Sequence, residues 1–219
     1  MYLSHKYKFI FLRSPKTASS SLSEFFIKNV NDPNAVYTPV DDTKIPGNLD
    51  KAIVDKYRKN NKFFHFTLQD LLNENIITNK IIDEYRCFSI LRNPIDRQKS
   101  AYYFRKKYDK ARPPSLEDYK NITKNLTTFQ KSPLTGMQQT DLLLVNNEIK
   151  GELWLYENLE SHVRKFMKDL NIDIKHPLPK HKSGNRKKET DIIFDKQVLD
   201  ALQKHFSRDF REYKRLVEN

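Results

Sequence analysis

Tyr7 to Ser21 reads YKFIFLRSPKTASSS, and the switch inside it decides the fold class. The apolar run Tyr7–Arg13 predicts a short buried strand that stops at Ser14-Pro15. Helical spacing follows at once, over Ser21–Val30 (SLSEFFIKNV). The same order recurs further on. Arg86–Leu91 (RCFSIL) reads as a buried strand that ends at Arg92-Asn93-Pro94, and a helix is predicted over Ile95–Tyr108 (IDRQKSAYYFRKKY). Pro94 suits the first helical turn, where its missing N–H removes no bond. Two buried strands that each deliver a helix predict an α/β protein with a central parallel β-sheet flanked by helices.

Further strands are expected at Glu152–Tyr156 (ELWLY), followed by a helix over Leu159–Leu170, and at Lys62–Phe66 (KFFHF). Thr67 and Asp70 have the spacing of a capping box opening TLQDLL. The stretches 31–49 and 109–135 carry most of the Pro, Asn, Asp and Thr and read as loops. Lys175–Lys188 (KHPLPKHKSGNRKK) reads as a basic loop, and Asp195–Val217 has helical spacing throughout.

The chain has 219 residues, which suits one domain over 1–219. Forty basic residues against 28 acidic give a formal charge of +12, which favours anionic partners without choosing among them. Cys87 is the only cysteine, so an internal disulfide and a cysteine-built zinc site are excluded. It sits in an apolar run, as a buried structural thiol would. No paired His/carboxylate spacing argues for a metal, and none is expected. The first apolar stretch is too short for a signal sequence or a membrane span, so a soluble, cytoplasmic protein is expected.

The loop Ser14-Pro15-Lys16-Thr17-Ala18-Ser19-Ser20-Ser21 lies where α/β proteins bind ligands, at a strand's carboxyl end and a helix's N-terminus. Lys16 brings a point charge, the hydroxyls bring donors, and the small residues let a ligand approach the backbone. This composition suits a phosphate or sulfate cradle; a serine-rich helix cap beside an exposed lysine is the alternative. It is not a Walker A loop, for it contains no glycine. At the second strand end Arg92 offers a fork suited to phosphate. Ser100 follows two turns later, and Arg97 with Asp96 reads as a local ion pair that fixes the turn, a structural role for Asp96.

PKTASSS and RNPIDRQKSAYY, about seventy residues apart, together resemble the two PAPS-binding motifs of the sulfotransferase superfamily. PAPS is 3′-phosphoadenosine 5′-phosphosulfate. The likeness is nearest to the carbohydrate O-sulfotransferases, where PKTAS-type loops and RNP…R…SAY helices are common, and LWLYENLESHVRKF is similar to that group as well. The resemblance implies the P-loop-like sulfotransferase fold and transfer of a sulfuryl group from PAPS to an acceptor hydroxyl, releasing the 3′,5′-bisphosphate PAP. It implies that Lys16 contacts the phosphosulfate bridge, that Thr17, Ala18, Ser19, Ser20 and Ser21 form the cradle, and that Arg92 and Ser100 hold the 3′-phosphate. It also places Lys182 and Ser183 in the loop that closes over the nucleotide.

The acceptor hydroxyl needs a base within hydrogen-bond reach. His65, in HFTLQDL, is the expected base, because an H-x-T-x-x-[DE]-L pattern occurs at the corresponding place in related sulfotransferases. A packed structural histidine is the alternative, with Glu157 and Asp70 as reserve carboxylates. No role is assigned to His5, His162, His176, His181 or His205. The expected acceptor is a carbohydrate hydroxyl, suited by the basic excess if anionic; Gln138-Gln139-Thr140 are placed near it by analogy. No nucleic-acid partner is expected. Two rival functions fit part of the pattern: a non-catalytic polyanion-binding protein, and a P-loop-like nucleotide kinase.

Overall fold

A computed structural model describes residues 1–40, 45–59, 65–108, 136–180 and 193–218. The chain divides into two compact units, Met1–Leu91 with Gln139–His181, and Arg92–Gln138 with Lys182–Asn219. The first unit begins with β1 (Tyr2–Ser4), β2 (Phe9–Leu12), α1 (Ser19–Asn29), β3 (Val36–Tyr37), α2 (Lys51–Lys59), α3 (Leu68–Asn73), α4 (Asn79–Glu84) and β4 (Arg86–Leu91). The second unit opens with α5 (Pro94–Tyr108). The first then resumes with a 3-10 turn at Thr140–Leu143, β5 (Leu144–Val145), β6 (Glu148–Ile149), β7 (Glu152–Leu155) and α6 (Leu159–Asp169). The helices α7 (Lys196–His205) and α8 (Ser207–Glu218) belong to the second unit.

Among the described residues the main sheet has the strand order β3-β1-β2-β4-β7. β2 and β4 pair in parallel with Phe11 beside Phe88, and β4 and β7 pair in parallel with Ile90 beside Trp154. The expectation of a parallel sheet needs correction at one edge. β1 is antiparallel to both β2 and β3, so the sheet is mixed. Only residues 5–8 join β1 to β2, which is enough for a hairpin and too few for a parallel crossover. Lys8 takes a left-handed φ of 49° to close it.

All four β2 side chains and five of six in β4 are buried, as expected of strands covered on both faces. One face presents Phe9, Phe11, Phe88, Ile90 and Trp154 to a cluster with Leu22, Phe25 and Phe26 of α1 and Leu159, Val163, Phe166 and Met167 of α6. Phe88 and Trp154 stack with centroids 3.9 Å apart, and Phe166 meets Phe9 edge-on at 5.1 Å. Burying each such ring contributes roughly 1.5–3 kcal/mol. β4 also packs against the 3-10 turn Thr140–Leu143, which in turn packs against α3.

Boundaries shift modestly from expectation: β2 is shorter than Tyr7–Arg13, and Tyr156 leaves β7 for a 3-10 turn, Tyr156–Asn158. The expected strand Lys62–Phe66 is not found in its described part. His65 and Phe66 belong to no strand and lead directly into α3; residues 62–64 lie outside the described residues. The capping box does form, with the Asp70 N–H donating to Thr67 Oγ1 at 2.9 Å and the Thr67 N–H donating to Asp70 Oδ2 at 3.0 Å.

In the second unit Tyr102 of α5 packs with Phe194, Val198, Leu202 and Phe206. The helical spacing of Asp195–Val217 resolves into two helices that break at Phe206. Phe206 is fully buried, with the Arg97 guanidinium 4.8 Å above its ring. Among the described residues no helix is long and apolar enough to cross a membrane.

Candidate functional site

The chain leaves β2 at Leu12 and reaches α1 at Ser19 through a turn with no glycine. Lys16 (φ 63°) and Ala18 (φ 59°) nevertheless both sit in the left-handed region. Such conformations cost non-glycine residues on the order of 1–3 kcal/mol each and persist only where the surroundings enforce them. Here the enforcement is visible. Thr17 Oγ1 donates to the Ser14 carbonyl at 2.9 Å, and Arg13 Nη2 donates to Ser20 Oγ at 3.1 Å. The Arg13 guanidinium is buried, and its Nη1 donates to the Pro39 carbonyl at 2.7 Å.

Ala18 is the N-cap of α1 and gives no side-chain acceptor to the first-turn N–H groups; that turn also contains no acid. Most helices satisfy these donors with a Ser, Thr, Asp or Asn cap. This one starts with three serines and leaves the cap position apolar. Lys16 and Ser20 are half-buried, while Thr17, Ser19 and Ser21 are buried. The hydroxyl of Ser14 is fully buried and has no hydrogen-bond partner. The helix dipole, a lysine and a left-handed turn at one strand end form a place for a tetrahedral oxyanion.

His65 joins this structure through the backbone. Its Nδ1 lies 2.7 Å from the Arg13 carbonyl oxygen. A carbonyl only accepts, so Nδ1 carries the proton and Nε2 carries the lone pair of the neutral ring. The same strand end therefore launches the turn before α1 and orients the His65 ring.

The second motif lies in the other unit. Asn93 caps α5, its Oδ1 accepting from the N–H groups of Ile95 at 3.0 Å and Asp96 at 3.2 Å. Arg92 Nε donates to Asp96 Oδ2 at 2.7 Å, and Nη2 contacts the same oxygen. Ser100 is half-buried in the second turn of α5. The N-termini of α1 and α5 thus differ: one leaves its cap position apolar, and the other is closed by Asn93 and an acid.

Lys182 and Ser183 lie outside the described residues, as does His181. Asp70 is committed to its capping box and is buried, which removes it as a reserve base. Glu157 is exposed in the 3-10 turn after β7. Gln139 and Thr140 are fully buried, while Gln138 is half-buried and its Oε1 accepts the Arg208 N–H at 3.2 Å. Burial pushes the Cys87 thiol up to about 12, so it stays protonated. His162 stacks on Trp154 at 5.5 Å, and His205 Nε2 lies 2.7 Å from the Gly136 carbonyl oxygen.

One residue absent from the sequence reading stands out. Asn29, at the end of α1, accepts the N–H groups of Lys175 and His176 on Oδ1, each at 2.8 Å. Its Nδ2 donates to the carbonyls of Phe25 and His176 at 2.9 and 3.0 Å. The start of the basic loop is therefore tied to the helix that opens at the cradle. The available signal was a polar residue on the buried side of an apolar helix.

No curated protein matches the chain. A sulfotransferase from Alicyclobacillus acidocaldarius, known from its crystal structure, is similar over 95% of each chain at 14% identity and a TM-score of 0.48, a likeness that carries no argument of its own. The sequence model of the sulfotransferase family matches residues 1–214, almost the whole length, and the chain belongs to that family.

Proposed function

We propose that residues 1–219 act as one PAPS-dependent O-sulfotransferase domain that sulfates a carbohydrate hydroxyl and releases PAP. The observation that carries this reading is the apolar-capped, left-handed start of α1 beside Lys16, with His65 tied to the same strand end. The donor set fits the group: a multiply charged ester meets a lysine, hydroxyls and a helix N-terminus, and no acid in the first turn opposes it. Thr17, Ala18, Ser19, Ser20 and Ser21 with Lys16 would hold the phosphosulfate end, and Arg92 with Ser100 the 3′-phosphate. Lys182 and Ser183 are assigned to the nucleotide by resemblance.

PAPS when bound supplies the sulfuryl group and a stable leaving phosphate. The chain's own residues supply position and charge, as in phosphoryl transfer. Lys16 places its ammonium where negative charge gathers on the leaving oxygen. His65 accepts the proton of the acceptor hydroxyl on Nε2, while its Nδ1–H stays with Arg13. Support for a carbohydrate acceptor comes from the motif resemblance; the formal charge of +12 suits an anionic one.

The test is a calorimetric titration of PAP into wild type, Lys16→Ala and Arg92→Ala, with AMP and ATP as controls. Micromolar PAP binding that both substitutions weaken supports the reading, and PAPS turnover with an acceptor panel then identifies the substrate. Failure to bind PAP, or equal binding of ATP, overturns it. PAP binding without turnover on any acceptor leaves the polyanion-binding alternative.

A further inference from the structure

The hydroxyl groups at the start of α1 differ in what they leave for a ligand, because a serine or threonine has one hydrogen to give. Thr17 Oγ1 donates to the Ser14 carbonyl at 2.9 Å, which engages its hydrogen inside the turn. Ser20 is bonded in the opposite sense. Arg13 Nη2 lies 3.1 Å from Ser20 Oγ, and a guanidinium donates only, so the serine oxygen accepts. The Ser20 hydrogen is therefore directed away from Arg13, and Ser20 donates to no described residue. Arg13 holds this arrangement in place. It is 5% exposed, and its Nη1 donates to the Pro39 carbonyl at 2.7 Å, so two bonds from one planar group fix the guanidinium. Ser20 is half-buried in the first turn of α1, where the cap position is apolar and no acid is present.

We infer that Arg13 is a positioning residue that commits the Ser20 hydroxyl to donate to the phosphosulfate end of the nucleotide. This rests on the reading of the turn before α1 as the cradle for that end. An oxyanion accepts hydrogen bonds and gives none, so a hydroxyl helps it only with its hydrogen turned outward. A freely rotating hydroxyl loses freedom on binding; one whose oxygen is already taken has lost it in the folded chain. An N–H donated to the oxygen also strengthens the bond that the same hydroxyl gives onward. Arg13, Pro39, Thr17 and Ser20 all lie in the same compact unit.

The probe is adenosine 5′-phosphosulfate, which carries the phosphosulfate end without a 3′-phosphate, so Arg92 and Ser100 do not enter. Its affinity is measured by calorimetry for wild type, Ser20→Ala, Arg13→Met and the double variant, with Lys16→Ala alongside and a melting temperature for each. Ser20→Ala is expected to weaken binding about tenfold, the size of one hydrogen bond to a charged group. Arg13→Met is expected to weaken it about fivefold in the wild-type chain and less than about twofold on the Ser20→Ala background, because its effect passes through that hydroxyl. If Arg13→Met does not fold, Arg13→Gln, whose amide stops short of the guanidinium nitrogens, takes its place in the cycle. The same loss on both backgrounds would show that Arg13 supports only the fold, and an unchanged affinity in Ser20→Ala would show that the hydroxyl is idle. Either overturns the inference while Lys16→Ala still weakens binding. If wild type does not bind the probe, or Lys16→Ala also changes nothing, the cradle reading fails and the inference falls with it.

Discussion

The ring of His65 donates its Nδ1–H to the carbonyl oxygen of Arg13, 2.7 Å away and 52 residues earlier in the chain. The bond has two consequences. It selects one tautomer of the neutral ring, and it registers that tautomer against the turn between β2 and α1.

Replacing His65 should therefore separate chemistry from binding. His65→Ala is expected to lower turnover by about a hundredfold or more, in the range of a lost general base. PAP affinity should stay within about twofold, because the cradle donors lie elsewhere. His65→Asn can still donate to the Arg13 carbonyl but has no basic nitrogen, and it should be as inactive as Ala. Activity in His65→Asn near wild type would reduce His65 to a structural tie.

The left-handed turn makes a different prediction, on the backbone. Ala18 has φ 59° and ψ 21°, a conformation glycine adopts without penalty and β-branched residues resist. Ala18→Gly should stay within about 1 kcal/mol of wild-type stability, the relieved strain offsetting the added chain entropy. Ala18→Val should lose about 1–2 kcal/mol or more. Urea midpoints measure both. On the proposed reading, in which the ligand would meet the backbone at this position, PAP binding should survive in the glycine variant and fall in the valine variant. Equal binding in the two would count against the cradle.

Much of this was legible in the chain, for reasons that particular residues make clear. β2, β4 and β7 announce themselves because buried parallel strands need unbroken apolar runs, which FIFL, CFSIL and LWL provide. β1 and β3 stayed hidden because three and two residues carry no periodicity. The β5–β6 hairpin was missed although Asn146 and Asn147, at φ 50° and 67°, mark its turn. The break at Phe206 is invisible because Leu202, Phe206 and Phe210 keep perfect helical spacing across it. At the site, residue types were readable and partners were not. Nothing local to His65 names Arg13, and nothing in the spacing of RNPIDR says that Asp96 would pair with Arg92.

Asn29 tests how far a single buried amide organises the unit. All its polar atoms are engaged, two backbone N–H groups on Oδ1 and two carbonyls from Nδ2. Asn29→Ala removes these bonds, with the Phe25 side of the amide buried and the Lys175 and His176 backbone near solvent, and should cost about 1–2 kcal/mol. Asn29→Asp keeps the acceptor and loses the donors, so it should fall between. Chemical denaturation gives both values. A loss below about 0.5 kcal/mol in Asn29→Ala would mean that water substitutes for the amide.

Acid stability should depend on the ion pairs at the other end of the strands. Arg86, at the start of β4, donates from Nε to Glu152 Oε1 at 2.7 Å and from Nη2 to Oε2 at 3.0 Å, and reaches Asp169 at 3.4 Å. Burial pushes the Glu152 carboxyl up, but hydrogen bonds from Arg86 and Trp154 and the Arg86 charge leave it below the ordinary carboxylate range. A hydrogen bond from Lys165, and then Arg86, holds Asp169 down as well. A carboxylate with a depressed folded pKa binds fewer protons folded than unfolded, so its contribution is complete above the unfolded value, about 4.3 for Glu. The contribution disappears as pH falls through the folded value. Since Glu152 is 46% exposed, screening limits the pair to about 0.5–1 kcal/mol. Glu152→Gln should therefore be less stable than wild type at pH 6, and the gap should be smaller at pH 3, as urea midpoints at the two pH values would show. A gap of the same size at both would mean that the carboxylate acts through packing and hydrogen bonding, with no contribution from its charge.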